Sequence, residues 1–133
     1  MADKAYDEKV RNQIVERLKD AVSAWNRGDL DGYMDVYLKS EFVTLIPDDG
    51  FVWGIGKIRK AYENQIAARG QLSFHVVEVL PLGSKDGAEY AFVSGHFAVI
   101  HEGLKGHSER GNFTLLMMRS GNDTWYVFKD HSA

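Results

Sequence analysis

The sequence predicts a small cone-shaped α+β domain with a single interior pocket. Three observations predict it. Two runs of apolar residues at helical spacing are parted by Gly28-Asp29. A third helical run follows two short apolar stretches. From Leu72 onward the apolar period changes to two. Helical runs followed by strand runs argue for three N-terminal helices packed on one face of a sheet. That sheet is expected to be mixed, mostly antiparallel, and of about six strands.

The first helix is expected from about Asp7 to Trp25, on Val10, Ile14, Leu18, Ala21, Val22 and Trp25. Gly28 is its stop and Asp29 the start signal of the next. The second helix runs from about Leu30 to Leu38, with Leu30, Tyr33, Met34 and Tyr37 on one stripe. Phe42 to Ile46 is a short strand, Pro47-Asp48-Asp49-Gly50 a turn, and Phe51-Val52-Trp53 a returning strand. Ile55, Ile58, Tyr62 and Ile66 mark the third helix, with Gly70 as its stop. The four long strands are Leu72 to Leu80, Glu89 to His101, Asn112 to Arg119 and Trp125 to His131.

The chain has 133 residues, 44% of them hydrophobic and 26% charged, which suits one domain over residues 1–133 with one core. The net charge of −3 and the lack of a Lys/Arg cluster argue against nucleic acid as a partner. No apolar run approaches the ~20 residues of a membrane span. The opening residues lack the apolar core of a signal peptide, so cytoplasmic residence is the expectation. There is no cysteine, hence no disulfide, thiolate metal site or cysteine nucleophile. The histidines show no metal-ligand spacing, and no redox-cofactor motif is present, so neither metal nor cofactor is expected.

Ala24-Trp25-Asn26-Arg27-Gly28-Asp29-Leu30-Asp31-Gly32 resembles a segment of the nuclear-transport-factor-2-like superfamily, in its SnoaL-like and ketosteroid-isomerase-like branch. The helix opening Gly54-Ile55-Gly56-Lys57-Ile58-Arg59-Lys60-Ala61-Tyr62 and the closing strand Trp125 to Ser132 carry the same resemblance. It implies a strongly curved sheet wrapped around helices, with a ligand pocket at the open end. It implies pocket-lining places for Trp25, Tyr37 and Tyr62, which are also ordinary core aromatics at helical spacing. Trp53 is expected near the pocket mouth. The fold hosts isomerases, cyclases, hydrolases, dehydratases and plain binding modules, so it leaves function open. Steroid-isomerase-like chemistry needs a carboxylate base and a tyrosine-plus-aspartic-acid donor pair. The matching positions fall near Leu45 or Ile46, at Ala21 and at about Leu115, all apolar. That mechanism is therefore not expected. SnoaL-like cyclases are similar in using an aspartate as acid/base within such a pocket.

Strand pairing offers a sharper expectation. A two-residue turn at Lys105-Gly106 would set His96 opposite Leu115 and Ala98 opposite Phe113. A four-residue loop at Ser120 to Asp123 would set Leu115 opposite Phe128 and Phe113 opposite Asp130. Opposed residues share a face. Asp130 and His96 would then face the pocket roughly 10 Å apart, as catalytic candidates. Phe113, Leu115 and Phe128 would line the wall between them. Asp130 would share its face with Tyr126 and Phe128, and His131 would share the other with Trp125 and Lys129. The bland alternatives are an Asp130 that is solvated or caps a neighbouring backbone group, and a His96 that is a core histidine with one local hydrogen bond or is turned outward by a bulge. The strands are apolar on both faces, so a homodimer through the outer sheet face is expected.

Two classes of function follow. One is an acid/base enzyme on a small apolar carbonyl or polyketide-like compound. The other is a non-catalytic module that binds a ligand or drives oligomerisation.

Overall fold

The computed structural model describes residues 4–68, 70–84, 87–101 and 108–133. In chain order these form α1 (Lys4–Asn26), α2 (Leu30–Met34), β1 (Thr44–Ile46), β2 (Val52–Trp53), α3 (Ile55–Ala67), β3 (Gly70–Ser84), β4 (Gly87–His101), β5 (Ser108–Arg119) and β6 (Trp125–Ser132). The fold is α+β, with the three helices packed on one six-stranded mixed sheet of order β2-β1-β6-β5-β4-β3. Only β1 and β6 run parallel.

The stop and start between α1 and α2 are local chemistry. Gly28 adopts φ +79°, which a side chain would disfavour. The Asp29 carboxylate accepts from the Gly32 amide at 2.9 Å and caps α2. That bond holds its carboxyl below the usual carboxylate range. The second helix ends at Met34, four residues short of expectation. The chain from Val36 to Leu38 instead runs beside β6. Val127 N–H donates to Val36 O at 2.8 Å and Leu38 N–H donates to Val127 O at 2.9 Å. Gly70 opens β3 rather than stopping α3, because α3 has already ended at Ala67.

The core lies between the helices and the concave side of the sheet. Val10, Ile14, Ile58, Val76, Val93, Phe113, Met117 and Val127 are among its members. Burying each such side chain stabilises the fold by roughly 1.5–3 kcal/mol. Asn26 ties α1 to β3 by mimicking a strand partner, giving Nδ2 to Leu72 O at 2.9 Å and accepting Leu72 N–H at 2.7 Å. At Gly95 a Cβ would stand 2.1 Å from the His75 carbonyl oxygen, so β3 and β4 can approach there only across a glycine.

Two register corrections matter for the site. First, β4 and β5 pair with His96 opposite Asn112 and Val93 opposite Leu115, three places from the expected register. An odd shift reverses the face, because side chains alternate. The turn expected at Lys105-Gly106 lies outside the described residues. Second, β5 and β6 carry a bulge. Met117 pairs with Val127 and Leu116 with Lys129, which leaves Phe128 as the extra residue. Trp125 and Val127 are therefore buried before the bulge and Asp130 after it. Trp125 was expected on the outer face with His131. It is instead in the core, with its Nε1 donating to Gln13 Oε1 at 3.1 Å.

Candidate functional site

Two side chains bond to Asp130 directly and a third through one of them. The first is Tyr37, from the extended segment after α2, whose hydroxyl donates to Asp130 Oδ2 at 2.6 Å. The second is Ser132, two places along β6 and so on the same strand face, whose Oγ donates to Oδ1 at 2.5 Å. The third reaches it indirectly. Tyr62 of α3 places its hydroxyl 3.1 Å from that of Tyr37. Asp130 itself is flanked by Leu45 of β1 and Leu115 of β5 in the sheet. Only 5% of it is exposed.

The surrounding rings lock this arrangement. Trp25 meets Tyr33 edge to face with centroids 4.8 Å apart, and Tyr33 meets Tyr62 at 5.1 Å. Trp25 is itself fixed by its Nε1, which donates to Gly70 O at 3.1 Å. No buried side-chain polar atom among the described residues lacks a hydrogen-bond partner.

These groups border a cavity of about 730 Å³ between helices and sheet. Trp25, Tyr33, Tyr37, Tyr62, Phe113, Leu115 and Asp130 all line it, with Leu72, Phe74, Phe97 and Val99 completing much of the apolar wall. Asp48, Asp49, Gln65, Glu109 and Arg110 add polar lining, and the four charged ones of these are exposed. The volume suits a drug-sized ligand.

Burial dominates the electrostatics. Loss of solvent pushes the Asp130 carboxyl above the usual carboxylate range, against the lowering effect of Ser132, Tyr37 and His131. Burial also raises Tyr33, to about 12, with the Asp130 charge adding to it. Tyr37 and Tyr62 are raised well above 10 for the same leading reason. The tyrosines therefore stay protonated at neutral pH and act as donors, while Asp130 is the carboxyl among them, held above its ordinary range by burial.

Three residues expected at the pocket are elsewhere. His96 is exposed on the outer face, where its Nδ1 lies 2.7 Å from Asn112 Oδ1. The shifted β4–β5 register put it there. Trp53 is 55% exposed and stacks on Phe51 outside the cavity. Phe128 is the bulge residue, and its ring lies 4.6 Å from Lys129 Nζ rather than on the cavity wall. Asp130 reaches the wall by pairing with Leu115, not with Phe113 as expected.

No protein-family model matches the sequence, and no curated protein matches it. Solved structures do. An NTF-2 like protein of unknown function from Shewanella oneidensis MR-1 is 32% identical, over 92% of this chain and 97% of its own, with TM-score 0.80. The chain belongs to the nuclear-transport-factor-2-like (NTF2-like) family. Two more distant structures share the NTF2-like fold. One is a dehydratase candidate from the NTF2-like family of Streptomyces avermitilis, 14% identical over 95% of this chain and 96% of its own, with TM-score 0.72. The other is a candidate association domain of calcium/calmodulin-dependent protein kinase type II from Thiobacillus denitrificans, 17% identical over 87% and 90%, with TM-score 0.71.

Within this NTF2-like cavity, Ala21, Leu45 and Leu115 line the wall at the positions matched to the steroid-isomerase pattern. None can act as base or donor. The one buried carboxylate among the described residues, Asp130, stands between Leu45 and Leu115 instead. Sequence reasoning missed Tyr33 and Ser132. Each had a signal: Tyr33 is one helical turn before Tyr37, and Ser132 shares strand parity with Asp130. No helix among the described residues is long and apolar enough to cross a membrane. No group of three or more His, Cys, Asp or Glu that could hold a metal ion forms among them.

Proposed function

We propose that this chain is a small-molecule pocket protein whose Asp130 serves as a cofactor-independent acid/base on a small, largely apolar carbonyl or polyketide-like compound. One observation carries the reading: a carboxylate almost wholly withdrawn from water borders an apolar cavity and accepts a 2.6 Å hydrogen bond from Tyr37. Such a group can take a proton from carbon or return one to oxygen, and the tyrosine hydroxyls can orient the carbonyl. His96 has no part in it, since it faces away. The SnoaL-like cyclases are the nearest analogy in chemistry.

The test is a panel of small cyclic ketones and enones in deuterated buffer, with α-proton exchange followed by NMR. Asp130→Asn should slow any catalysed exchange by roughly 10²–10⁴-fold. Exchange no faster than buffer across the panel, or an undiminished rate in the variant, removes the catalytic reading.

The second reading is a non-catalytic ligand-binding or oligomerisation module. It is favoured by Leu80, Leu82, Tyr90 and Phe92, which leave an apolar outer sheet face exposed. A homodimer through that face is compatible with either reading. Cytoplasmic residence is part of the proposal.

A further inference from the structure

The charged residues lining the cavity are unequally divided. Among the described residues Asp48, Asp49, Glu109 and Asp130 are acidic, and Arg110 is the basic one. Glu109 is partly offset by His101, whose Nε2 lies 3.9 Å from its carboxylate. Asp48 and Asp49 sit in the turn between β1 and β2 and have no ion-pair partner among the described residues. Among the described residues the buried acid is Asp130, and its side-chain hydrogen-bond partners are neutral: a phenol and an alcohol.

An ionised carboxylate offers about four acceptor positions. Tyr37 and Ser132 occupy one on each oxygen. Asp130 lines the cavity, so a donor bound there is the candidate partner for the remaining positions. The rings of Trp25, Tyr33, Tyr37 and Tyr62 border the same space. Aromatic rings attract cations most strongly where water is excluded. A buried anion without a counter-ion is costly, and a ligand cation would remove that cost.

We infer that the cavity selects a ligand bearing a protonated nitrogen, an aromatic or alicyclic amine, with the nitrogen seated against Asp130 and the neighbouring rings. This rests on the pocket reading above. It gives the pocket a ligand class, an apolar amine for which Asp130 is the counter-ion and not the base. Carboxylate-bearing ligands are disfavoured twice, by the excess of acids among the exposed lining residues and by Asp130 itself.

The test uses three probes with one ring system: 2-(1-naphthyl)ethylamine, 2-(1-naphthyl)ethanol and 1-naphthylacetate. Binding of each to the full chain is measured by calorimetry at neutral pH and low salt. The amine should bind at least tenfold more tightly than the acetate and more tightly than the alcohol. Asp130→Asn should abolish the preference for amine over alcohol while the alcohol still binds. Because that variant could disturb packing, Asp48→Asn/Asp49→Asn at the exposed turn is a second arm. It should cut the amine-to-acetate ratio severalfold, as should raised salt. Alcohol binding with no amine preference, or acetate binding as tight as the amine, overturns this inference and leaves the pocket reading intact. Failure of all three probes overturns both.

Discussion

At Asp130, burial and hydrogen bonding pull in opposite directions. Desolvation raises the carboxyl, and the donors Ser132 and Tyr37 lower it. Desolvation wins, so the native pKa stands above the unfolded one. The native state then holds more protons than the unfolded state between those two values. Stability is fully present below the unfolded pKa and declines as pH rises through the native one. Asp130→Asn should remove that decline. Urea denaturation from pH 4 to 8 would check it, with the stability of the wild type relative to the variant falling as pH rises. Tyr37→Phe should have a different signature. It removes the donor to Oδ2, so it should lower stability by about 1–3 kcal/mol and push the Asp130 carboxyl further up. Carboxyl-carbon NMR titration reads the second effect directly. Asp130 is the carboxylate of β6, a strand that opens on four apolar residues and closes on Lys129, Asp130, His131 and Ser132. Its partner Ser132 was readable from strand parity. Tyr37 was found at helical spacing, yet it performs its role after the helix has stopped.

Elements differ in how much of them is local. Gly28 and Asp29 announce the break between α1 and α2 because a positive φ and a cap are properties of two or three residues. Strand pairing is not local. The β4–β5 register depends on the connection between them, and a three-place error moved His96 from the wall to the surface. The bulge at Phe128 was equally invisible. Trp125, Tyr126, Val127 and Phe128 are all apolar, so their alternation does not say which pair faces inward. The cross-strand environment decides it: Trp125 fills the space under α1, and the extra residue restores Asp130 to the same side. Removing Phe128 should therefore be far worse than trimming it. Deletion forces either Trp125 and Val127 or Asp130 onto the wrong face, and circular dichroism should show loss of cooperative unfolding. Phe128→Ala keeps the residue count and should cost less than the deletion. Gly95→Ala is a test of the sheet's close approach. The added Cβ meets the His75 carbonyl oxygen, and overpacking of this kind costs roughly 1–3 kcal/mol or more.

Across the whole molecule, the two faces of the sheet have separate fates. One closes over the cavity beneath the helices. The other presents Leu80 and Phe92 in one cross-strand row and Leu82 and Tyr90 in another. Under the proposed dimer, Phe92→Lys should shift the mass measured by light scattering from two chains to one at micromolar concentration. Thermal stability should change little if the free protomer folds alone. A monomeric wild type at that concentration would remove the dimer. The α+β class and element order were legible from period and punctuation, since they sum over many residues. The second face was legible only as an excess of apolar residues, because nothing in a single chain says what lies against it.

Tyr37 and Asp130 reach each other through side chains, but their backbones are also stitched together. Leu38 N–H donates to Val127 O and Val127 N–H donates to Val36 O beside them, and β6 is held by β1 on one flank and β5 on the other. The acid and its phenol therefore cannot drift apart by loop breathing. Separating them means breaking those two backbone hydrogen bonds as well as the one between the side chains. Hydrogen–deuterium exchange at the Leu38 amide should accordingly be as slow as at Val127, and a ligand must fit this pair as it finds it.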